Sequence, residues 1–388
     1  MEWKLKDLTV DEKGSYGIGA PAVPYQENKL TYLRITDIND DGSLNFSDLK
    51  SVDAEDAEKY ILKENDIVFA RTGNSTGRSY FYEKQHGTFV YAGFLIKFSL
   101  DPNKVNPRIM KYYTHSKPYF DWVNSFDTGA TRGNINAKTY GDMEIELPSR
   151  KVQDKIVSIL SSLDRKIELN NKINADLEEM AQTIFKNWFV DFEPFKDGEF
   201  VDSELGMIPE GWKVGTLDEI FSLKYGKNLS TSMILEKGDY PVYGANGIIG
   251  YYNEYNCDKY SVLVTSRGNG SGDVSRTHHP QSFITNNSFV VEPLEHYKYI
   301  KLPFINGLFN IIDFKSYCSG SAQPQLTNKA MRNICIISPP MELVIKYCEI
   351  LETLFSHIEC VIDENSRLSL LRDTLLPRLM SGELEVPE

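Results

Sequence analysis

The sequence predicts an α+β protein with two mixed α/β domains, related by a pseudo-twofold axis and separated by an antiparallel pair of long coiled-coil helices. The first observation behind this prediction is that the 388-residue chain repeats itself after about 190 to 210 residues. The second is that each copy ends in a long segment without proline or glycine, whose apolar residues recur every three or four positions. A chain of this length fits two to three domains.

Four short patterns return in the same order in the two halves, which indicates a duplicated domain rather than a solenoid. The matched segments are Trp3-Lys4 and Trp212-Lys213, Arg71–Gly77 and Arg267–Gly272, Gly129–Asn136 and Gly320–Thr327, and the apolar skeletons of Ile159–Ile184 and Ile350–Leu375. Short β-branched and aromatic runs, such as Asp66–Ala70, Phe89–Ile96 and Tyr260–Thr265, predict strands within each domain.

The two long segments are predicted to be helices that pack against each other along a coiled-coil seam. We expect the second helix to stop before Pro377, because proline cannot continue a helix interior. The predicted seam residues are Leu160, Leu163, Ile167, Asn174 and Leu177 in the first helix, and Leu351, Leu354, Ile358, Asn365 and Leu368 in the second. Asn174 and Asn365 fall at the same seam position, where a polar residue fixes register. The alternative is that each helix packs only on its own domain.

These patterns divide the chain into six predicted segments. They are residues 1–150 for the first domain, 151–190 for the first helix, 191–210 for an acidic linker, 211–340 for the second domain, 341–380 for the second helical segment and 381–388 for a tail.

The charge of the chain is unevenly distributed. The total is -13, which argues against a free-standing nucleic-acid binder. However, residues 191–210 and 341–388 each carry a net charge of -6, whereas the domains carry -3 and +2, so either domain can present a local basic patch.

No apolar run approaches the length of a membrane span, and the N-terminus has no apolar signal core. Five cysteines without a CxxC pair favour reduced thiols, and together these features predict a cytoplasmic protein.

The usual catalytic and metal-binding signatures are missing from the sequence. Gly226-Lys227 is followed by Asn228 and lacks the spacing of a phosphate-binding loop. Ser338-Pro339-Pro340-Met341 lacks both the asparagine and the aromatic residue of an amino-methyltransferase site. His278-His279 has no partner at metal-ligand spacing. The sequence therefore predicts a protein without catalytic residues or a metal site.

Two polar loops recur in each half where a strand is expected to end. Arginine can read guanine, and asparagine or glutamine can pair with adenine edges, so these loops are candidate DNA-binding residues. The candidates are Arg71, Asn74, Ser75, Thr76, Arg78, Thr131, Arg132, Asn134, Asn136 and Lys138 in the first half, and Arg267, Asn269, Ser271, Arg276, Gln323, Gln325, Thr327, Asn328 and Lys329 in the second. The alternative is that they are ordinary solvated hairpin loops.

Four further segments carry a resemblance to a known family. They are Ile184–Pro194 after the first helix, Leu205–Trp212 at the opening of the second domain, Tyr240–Gly247, and Leu375–Leu384 near the end. With the repeated order of domain and long helix, they make the whole chain resemble the specificity (S) subunit of Type I restriction–modification systems. One departure is that Pro148–Gln153 keeps the glutamine but not the glutamate that often precedes the helix in this family.

The resemblance implies a non-catalytic reader of double-stranded DNA. Each domain would be a target-recognition domain for one half of a split site, and the helix pair would set the spacer. The helices and linker would dock two methyltransferase (M) subunits that hold S-adenosylmethionine, and two restriction (R) subunits would use ATP and Mg. No cofactor would be bound by this chain. The competing hypotheses are a pseudosymmetric protein-binding scaffold without DNA readout, and a fused methyltransferase–nuclease, which the missing motifs disfavour.

Overall fold

The computed structural model describes residues 2–126, 133–268, 270–320 and 323–386. The chain divides into two compact units. The first comprises Met1–Ile167 and Arg367–Glu388, and the second comprises Glu168–Ser366. Each unit therefore contains one β-rich domain and one portion of each long helix.

The described residues of the first unit form ten short strands and three short α-helices, followed by the start of a long helix. The strands are β1 (Glu2–Lys4), β2 (Ser15–Tyr16), β3 (Ala22–Pro24), β4 (Thr31–Leu33), β5 (Lys50–Val52), β6 (Asp66–Ala70), β7 (Ser79–Phe81), β8 (Phe89–Tyr91), β9 (Leu95–Ser99) and β10 (Glu144–Glu146). The helices are α1 (Ile109–Tyr113), α2 (Lys117–Asn124), α3 (Ala137–Gly141) and the long α4 (Arg150–Phe189).

The second unit is built in the same way and ends in the second long helix. Its strands are β11 (Phe200–Ser203), β12 (Gly206–Pro209), β13 (Lys213–Thr216), β14 (Phe221–Tyr225), β15 (Tyr240–Gly244), β16 (Gly247–Tyr252), β17 (Val262–Thr265), β18 (Val274–Arg276), β19 (Phe283–Ile284), β20 (Ser288–Pro293) and β21 (Cys335–Ser338). Its helices are α5 (Leu217–Ile220), α6 (Leu302–Ile311), α7 (Asn328–Arg332) and α8 (Met341–Met380).

The two domains share one sheet plan, which accounts for the sequence repeat. The first has an antiparallel sheet of order β2-β9-β6-β7, and the second has one of order β14-β20-β17-β18. A parallel pair, β4 with β8 or β15 with β19, belongs to a second sheet in each. An antiparallel pair, β1 with β10 or β13 with β21, joins the start of each domain to the strand before the long helix.

The long helices pack both on each other and on the domains. In the first unit, Ile156 and Leu160 of α4 and Leu376 and Leu379 of α8 lie in the core of the first domain. In the second unit, aromatic residues of both helices, including Phe185 of α4, lie in the second domain's core. The predicted helix–helix seam therefore describes part of the observed packing. The alternative prediction, in which the helices pack on the domains, describes the other part.

The predicted end of the second helix is wrong by one turn. Helix α8 contains Pro377 and continues to Met380. Proline removes only its own N–H donor, and its carbonyl still accepts a hydrogen bond from the N–H of Ser381 at 3.0 Å. The proline ring is exposed, so the last turn forms around it.

Seam burial varies along the helices. Among the predicted seam residues, Leu160, Leu351 and Ile358 are buried, while Leu163, Ile167, Asn174, Leu177, Leu354, Asn365 and Leu368 are half-buried. Asn170 is completely buried and donates hydrogen bonds to Glu364 at 2.8 Å and to Asn365 at 2.9 Å. Farther along, the ring of Phe185 in α4 lies 5.8 Å from that of Tyr347 in α8, so within the second unit the pairing runs in opposite directions and the helices are antiparallel.

The acidic linker is an ordered element in the second unit. After α4, Phe192 adopts a left-handed backbone, and the chain forms the β11–β12 hairpin. Phe192 and Phe195 pack against the core of the second domain.

Among the described residues, no helix is long and apolar enough to span a membrane. The architecture is thus the predicted α+β fold, with two β-rich domains and a packed pair of long helices.

Candidate nucleic-acid interface

Two polar loops of the first domain lie side by side. Residues 71–78 connect β6 to β7 and include a 3-10 turn at Gly73–Ser75. Residues 133–138 lead into α3. The N–H of Ile135 donates to the carbonyl of Arg71 at 3.0 Å, which joins the two segments. We name residues 71–78 and 133–138 the first polar edge.

The second domain contains a matching pair of loops. The N–H of Leu326 donates to the carbonyl of Ser266 at 2.9 Å, and the hydroxyl of Ser271 donates to the carbonyl of Pro324 at 2.6 Å. We name residues 266–268, 270–273 and 323–329 the second polar edge.

The two edges have the same arrangement of main-chain hydrogen bonds, which we call the shared main-chain framework. In the loops between β6 and β7 and between β17 and β18, equivalent residues are 195 positions apart in the sequence. The carbonyl of Ala70 accepts from the N–H of Gly77, and the carbonyl of Thr265 accepts from the N–H of Gly272. Glycines with positive φ stand at matching places in both loops, namely Gly73, Gly77, Gly268 and Gly272. The backbone turns are therefore the same, and the side chains on them are free to differ.

This framework corrects the alignment of the two arginines. The sequence repeat predicts that Arg71 corresponds to Arg267. The hydrogen bonds instead place Arg71 opposite Ser266, because these two carbonyls accept from Ile135 and Leu326 respectively. Arg267 corresponds to Thr72. The two arginines thus occupy neighbouring rather than equivalent positions.

The predicted residues differ in their access to solvent. At the first polar edge, Asn74, Asn134, Asn136 and Lys138 are exposed, Arg71, Thr76 and Arg78 are half-buried, and Ser75 is buried. At the second, Arg267, Gln323 and Lys329 are exposed, Gln325, Thr327 and Asn328 are half-buried, and Ser271 is buried. Thr131, Arg132 and Asn269 lie outside the described residues. Matched positions therefore present different polar groups, such as Asn134 and Gln325.

Several predicted residues stabilise the loops themselves. Asn136 caps α3 by accepting from the N–H of Thr139 at 2.9 Å, and Thr327 caps α7 in the same way. The amide of Asn328 donates to the carbonyl of Leu223 at 2.5 Å. These side chains position the edges and are committed to contacts within the domain.

Two predicted arginines are bound inside their own units. Arg78 donates to Asp40 at 2.7 Å. Arg276 has only 5% of its side chain exposed, donates to Glu178 at 3.0 Å, and lies 5.3 Å from the ring centre of Phe355. These contacts favour a structural role for both arginines over a direct contact with DNA.

Two exposed tyrosines beside the polar edges were not predicted from the sequence. Tyr16 and Tyr225 end β2 and β14 and are 42% and 41% exposed. Each precedes a glycine, Gly17 or Gly226, where a Cβ would lie 2.2 or 2.3 Å from a main-chain carbonyl oxygen. The Tyr-Gly pair recurs 209 residues apart, the same spacing as the Trp-Lys pair at each domain's start, and that spacing could have revealed it.

Tyr16 connects the two loops of the first polar edge. Its hydroxyl accepts a hydrogen bond from the N–H of Ala137 at 3.0 Å. The guanidinium carbon of Arg71 lies 5.1 Å from its ring centre, within cation–π distance. In the second domain, the ring of Tyr225 instead packs against Phe289, with ring centres 4.2 Å apart.

Two buried tyrosines donate hydrogen bonds to the two ends of the loop between β6 and β7. The hydroxyl of Tyr119 donates to the carbonyl of Gly77 at 2.6 Å, and that of Tyr140 donates to the carbonyl of Ala70 at 2.9 Å. Burial raises the pKa of both hydroxyls, so they remain protonated donors. The two ends of the loop are thereby anchored to the core.

Cationic side chains at both edges remain available to a ligand. Lys138, Arg267 and Lys329 form no ion pair with a described residue. The part of the chain that the structure describes contains no cluster of three side chains suited to a metal ion. Cations, amides and an exposed tyrosine without a metal suit the recognition of a polyanion with base edges.

Comparison with known proteins identifies the family. The sequence model of the Type I restriction modification DNA specificity domain matches residues 3–179 and 209–368, most of the chain. The chain belongs to the specificity subunits of Type I restriction–modification systems. As a member of this family, it is a non-catalytic subunit of such a complex.

Individual relatives agree with this assignment. The specificity subunit is 29% identical over 302 residues to the MjaIX specificity subunit of Methanocaldococcus jannaschii, covering 71% of this chain and 69% of the relative. It is 24% identical over 413 residues to the HindI specificity subunit of Haemophilus influenzae, covering 84% and 88%. The crystal structure of an S subunit from M. genitalium has the same fold, with a TM-score of 0.53, 20% identity and coverage of 100% and 96%.

Proposed function

We propose that the first and second polar edges each read one half of a bipartite double-stranded DNA sequence. The observation that carries the proposal is the shared main-chain framework with different polar side chains on it. A backbone shared by the two domains places side chains at a similar distance from a base pair, and a change of side chain then changes the base that is favoured. Asn134 and Gln325, which hold matching positions, are the clearest example.

The long helices supply the second part of the proposal. Each has 40 residues and spans about 60 Å at the α-helical rise. We propose that their length sets the number of base pairs between the half-sites.

The surface of the helices and linker supports the docking of two methyltransferase subunits. Exposed apolar side chains on the helices include Leu169, Met180 and Leu370, which are 54%, 53% and 70% exposed. We propose that these side chains become buried when a methyltransferase subunit docks. The linker and the C-terminal segment each carry -6, so a partner with basic contact residues would be favoured. S-adenosylmethionine would belong to these subunits, and ATP and Mg to two restriction subunits, in a cytoplasmic complex.

Long-read methylation profiling of cells with and without this gene tests the proposal. We expect a bipartite adenine-methylation motif that disappears when the gene is deleted and returns on complementation. An unchanged methylome in a strain that expresses the methyltransferase partner would contradict it.

A protein-binding scaffold without DNA readout is the second candidate, since the helix pair alone would suit it. DNA binding by the chain with its methyltransferase partner separates the two. DNA readout predicts that substitutions at the polar edges change which sequence is preferred, and that affinity falls steeply with salt. A scaffold predicts no effect of those substitutions on sequence preference.

A further inference from the structure

Arg71 differs from the other described arginines of the first domain in having no described acidic partner. The described arginines of residues 2–150 that form ion pairs are Arg34 with Asp37 and Asp48, Arg78 with Asp40, Arg108 with Glu83, and Arg150 with Asp154. No described carboxylate pairs with Arg71, and its Nε is buried without a hydrogen-bond partner among the described residues. A cation at a polar edge that no described carboxylate neutralises is a candidate for contact with a ligand.

Arg71 is nevertheless held in place. Its N–H donates to the carbonyl of Phe94 at 3.1 Å, and its carbonyl accepts from Ile135 at 3.0 Å. Its guanidinium lies over the ring of Tyr16, whose strand pairs with β9. The Tyr16 hydroxyl is in turn fixed by the N–H of Ala137. An aromatic face orients a guanidinium without occupying its N–H donors, whereas a carboxylate would occupy them.

We propose that Tyr16 is a positioning residue that holds the guanidinium of Arg71 for bidentate reading of one guanine in the first half-site. This inference rests on the proposed function and assigns a base and an arrangement to it. Arginine pairs with the O6 and N7 atoms of guanine through two parallel N–H donors, which requires a fixed guanidinium plane.

Among its described residues, the second domain has no such arrangement. Ser266 stands at the position of Arg71 and is completely buried. The ring of Tyr225 packs on Phe289 instead of an arginine. Arg267, one position further along, is joined by a main-chain bridge to Gln325. The Tyr16–Arg71 pair is therefore specific to the first domain, and so is the expected effect of disrupting it.

Methylation profiling of cells that carry single variants in the assembled complex tests the pair. Arg71→Lys keeps the charge but loses the planar fork, and we expect discrimination at one G·C pair of the first half-site to fall about tenfold or more. Tyr16→Leu removes the ring, and we expect a fall of about two- to fivefold at the same base pair. Tyr16→Phe keeps the ring and should retain the preference.

The second half-site is the internal control for folding and assembly. Its motif should be unchanged in all three variants. Tyr25→Leu serves as the matched control, because Tyr25 is an exposed tyrosine of the same domain with no described ring or hydrogen-bond contact to the first polar edge. It should leave both half-sites intact.

Two results would overturn the inference while leaving the proposed function standing. One is that Arg71→Lys relaxes a base pair and Tyr16→Leu does not. The other is that Asn134→Ala relaxes the first half-site, whereas the variants of Arg71 and Tyr16 leave it unchanged. If no variant at either polar edge changes either half-site, the proposed function itself fails.

Discussion

Two arginines of the second domain lie close in sequence but are expected to have opposite roles. Arg276 is buried against Glu178 and Phe355, whereas Arg267 is exposed and forms no ion pair with a described residue. We predict that Arg276→Ala lowers the free energy of unfolding by about 1–2 kcal/mol and leaves the methylation motif unchanged. The loss is smaller than that of a fully buried pair because Glu178 is half-exposed and can be hydrated again.

Arg267→Ala is the matched control for that prediction. It should leave the melting temperature unchanged and relax only the second half-site. Thermal unfolding and methylation profiling of both variants check the pair, and a relaxed motif with Arg276→Ala at full stability would contradict the structural role.

His115 provides a pH-dependent contribution to the stability of the first unit. Burial lowers its pKa below the unfolded value of about 6.5, and its Nδ1–H donates to the carbonyl of Lys111 at 2.8 Å. Below pH 6.5 the unfolded state therefore binds more protons, and stability falls as pH falls. We predict that His115→Gln reduces the stability lost between pH 7.5 and 5.5 in denaturant unfolding. An identical loss of stability in the wild type and the variant would contradict this prediction. His278 and His279 are present in both proteins, so their contribution cancels in the comparison.

Residue types at the polar edges could be predicted from sequence, but their environments could not. The sequence repeat indicated the loops. It aligned Arg71 with Arg267 because the two residues are identical, although their places in the two loops differ by one position. Only the hydrogen bonds of the loop reveal the correct register. Burial of Arg276 and exposure of Tyr16 depend on neighbours distant in sequence, which no local pattern reports.

At the scale of elements, the helix pair contains a buried polar contact that the sequence did not predict. Asn174 and Asn365 were predicted at matching seam positions, and both are half-buried. The side chains that bond to Asn365 are those of Asn170 and Asn171, one turn before Asn174 in α4. A straight helix of 3.6 residues per turn drifts against a 3.5-residue seam, so spacing alone does not fix which side chains meet across the helix pair.

We predict that Asn170→Ala lowers the free energy of unfolding by about 1–3 kcal/mol, because Glu364 and Asn365 lose a donor inside the seam. Asn187→Ala is the control, since Asn187 is exposed on the same helix and should change stability by about 0.5 kcal/mol or less. Denaturant unfolding checks both. Equal stabilities for the two variants would show that the hydrogen bonds of Asn170 contribute nothing to the stability of the protein.

The long helices were the elements most fully predicted from sequence, because 40 residues of consistent periodicity leave few alternatives. The errors lie at their ends and in what they contact. The outer turns belong to domain cores, and Pro377 is accommodated in the last turn. Short strands with two or three residues, such as β2 and β19, carry too little pattern to be predicted.

At the scale of the whole molecule, the helix length is predicted to determine the spacer. Insertion of seven helix-forming residues after Ile167 in α4 and after Ser366 in α8, where the two units meet along the chain, would add about 10 Å. We predict a spacer longer by about three base pairs, with both half-sites unchanged. Methylation profiling reads the spacer directly, and an unchanged spacer in an active complex would refute this role of the helices.

The total charge of -13 takes on a different meaning at this scale. Segments 191–210 and 341–388 together carry -12, and they contain the linker hairpin and α8. The domains are close to neutral, so neither repels DNA strongly, and neither attracts it strongly. This distribution agrees with a reader that depends on its partners for much of its phosphate binding.

The central claim is that each domain reads its own half of the site. Methylation profiling of two single variants, Asn134→Ala in the first polar edge and Gln325→Ala in the second, tests it most directly. We predict that each variant relaxes one half of the motif only, and that the two variants affect opposite halves. A relaxation of both halves by either variant, or of the same half by both, would contradict the claim.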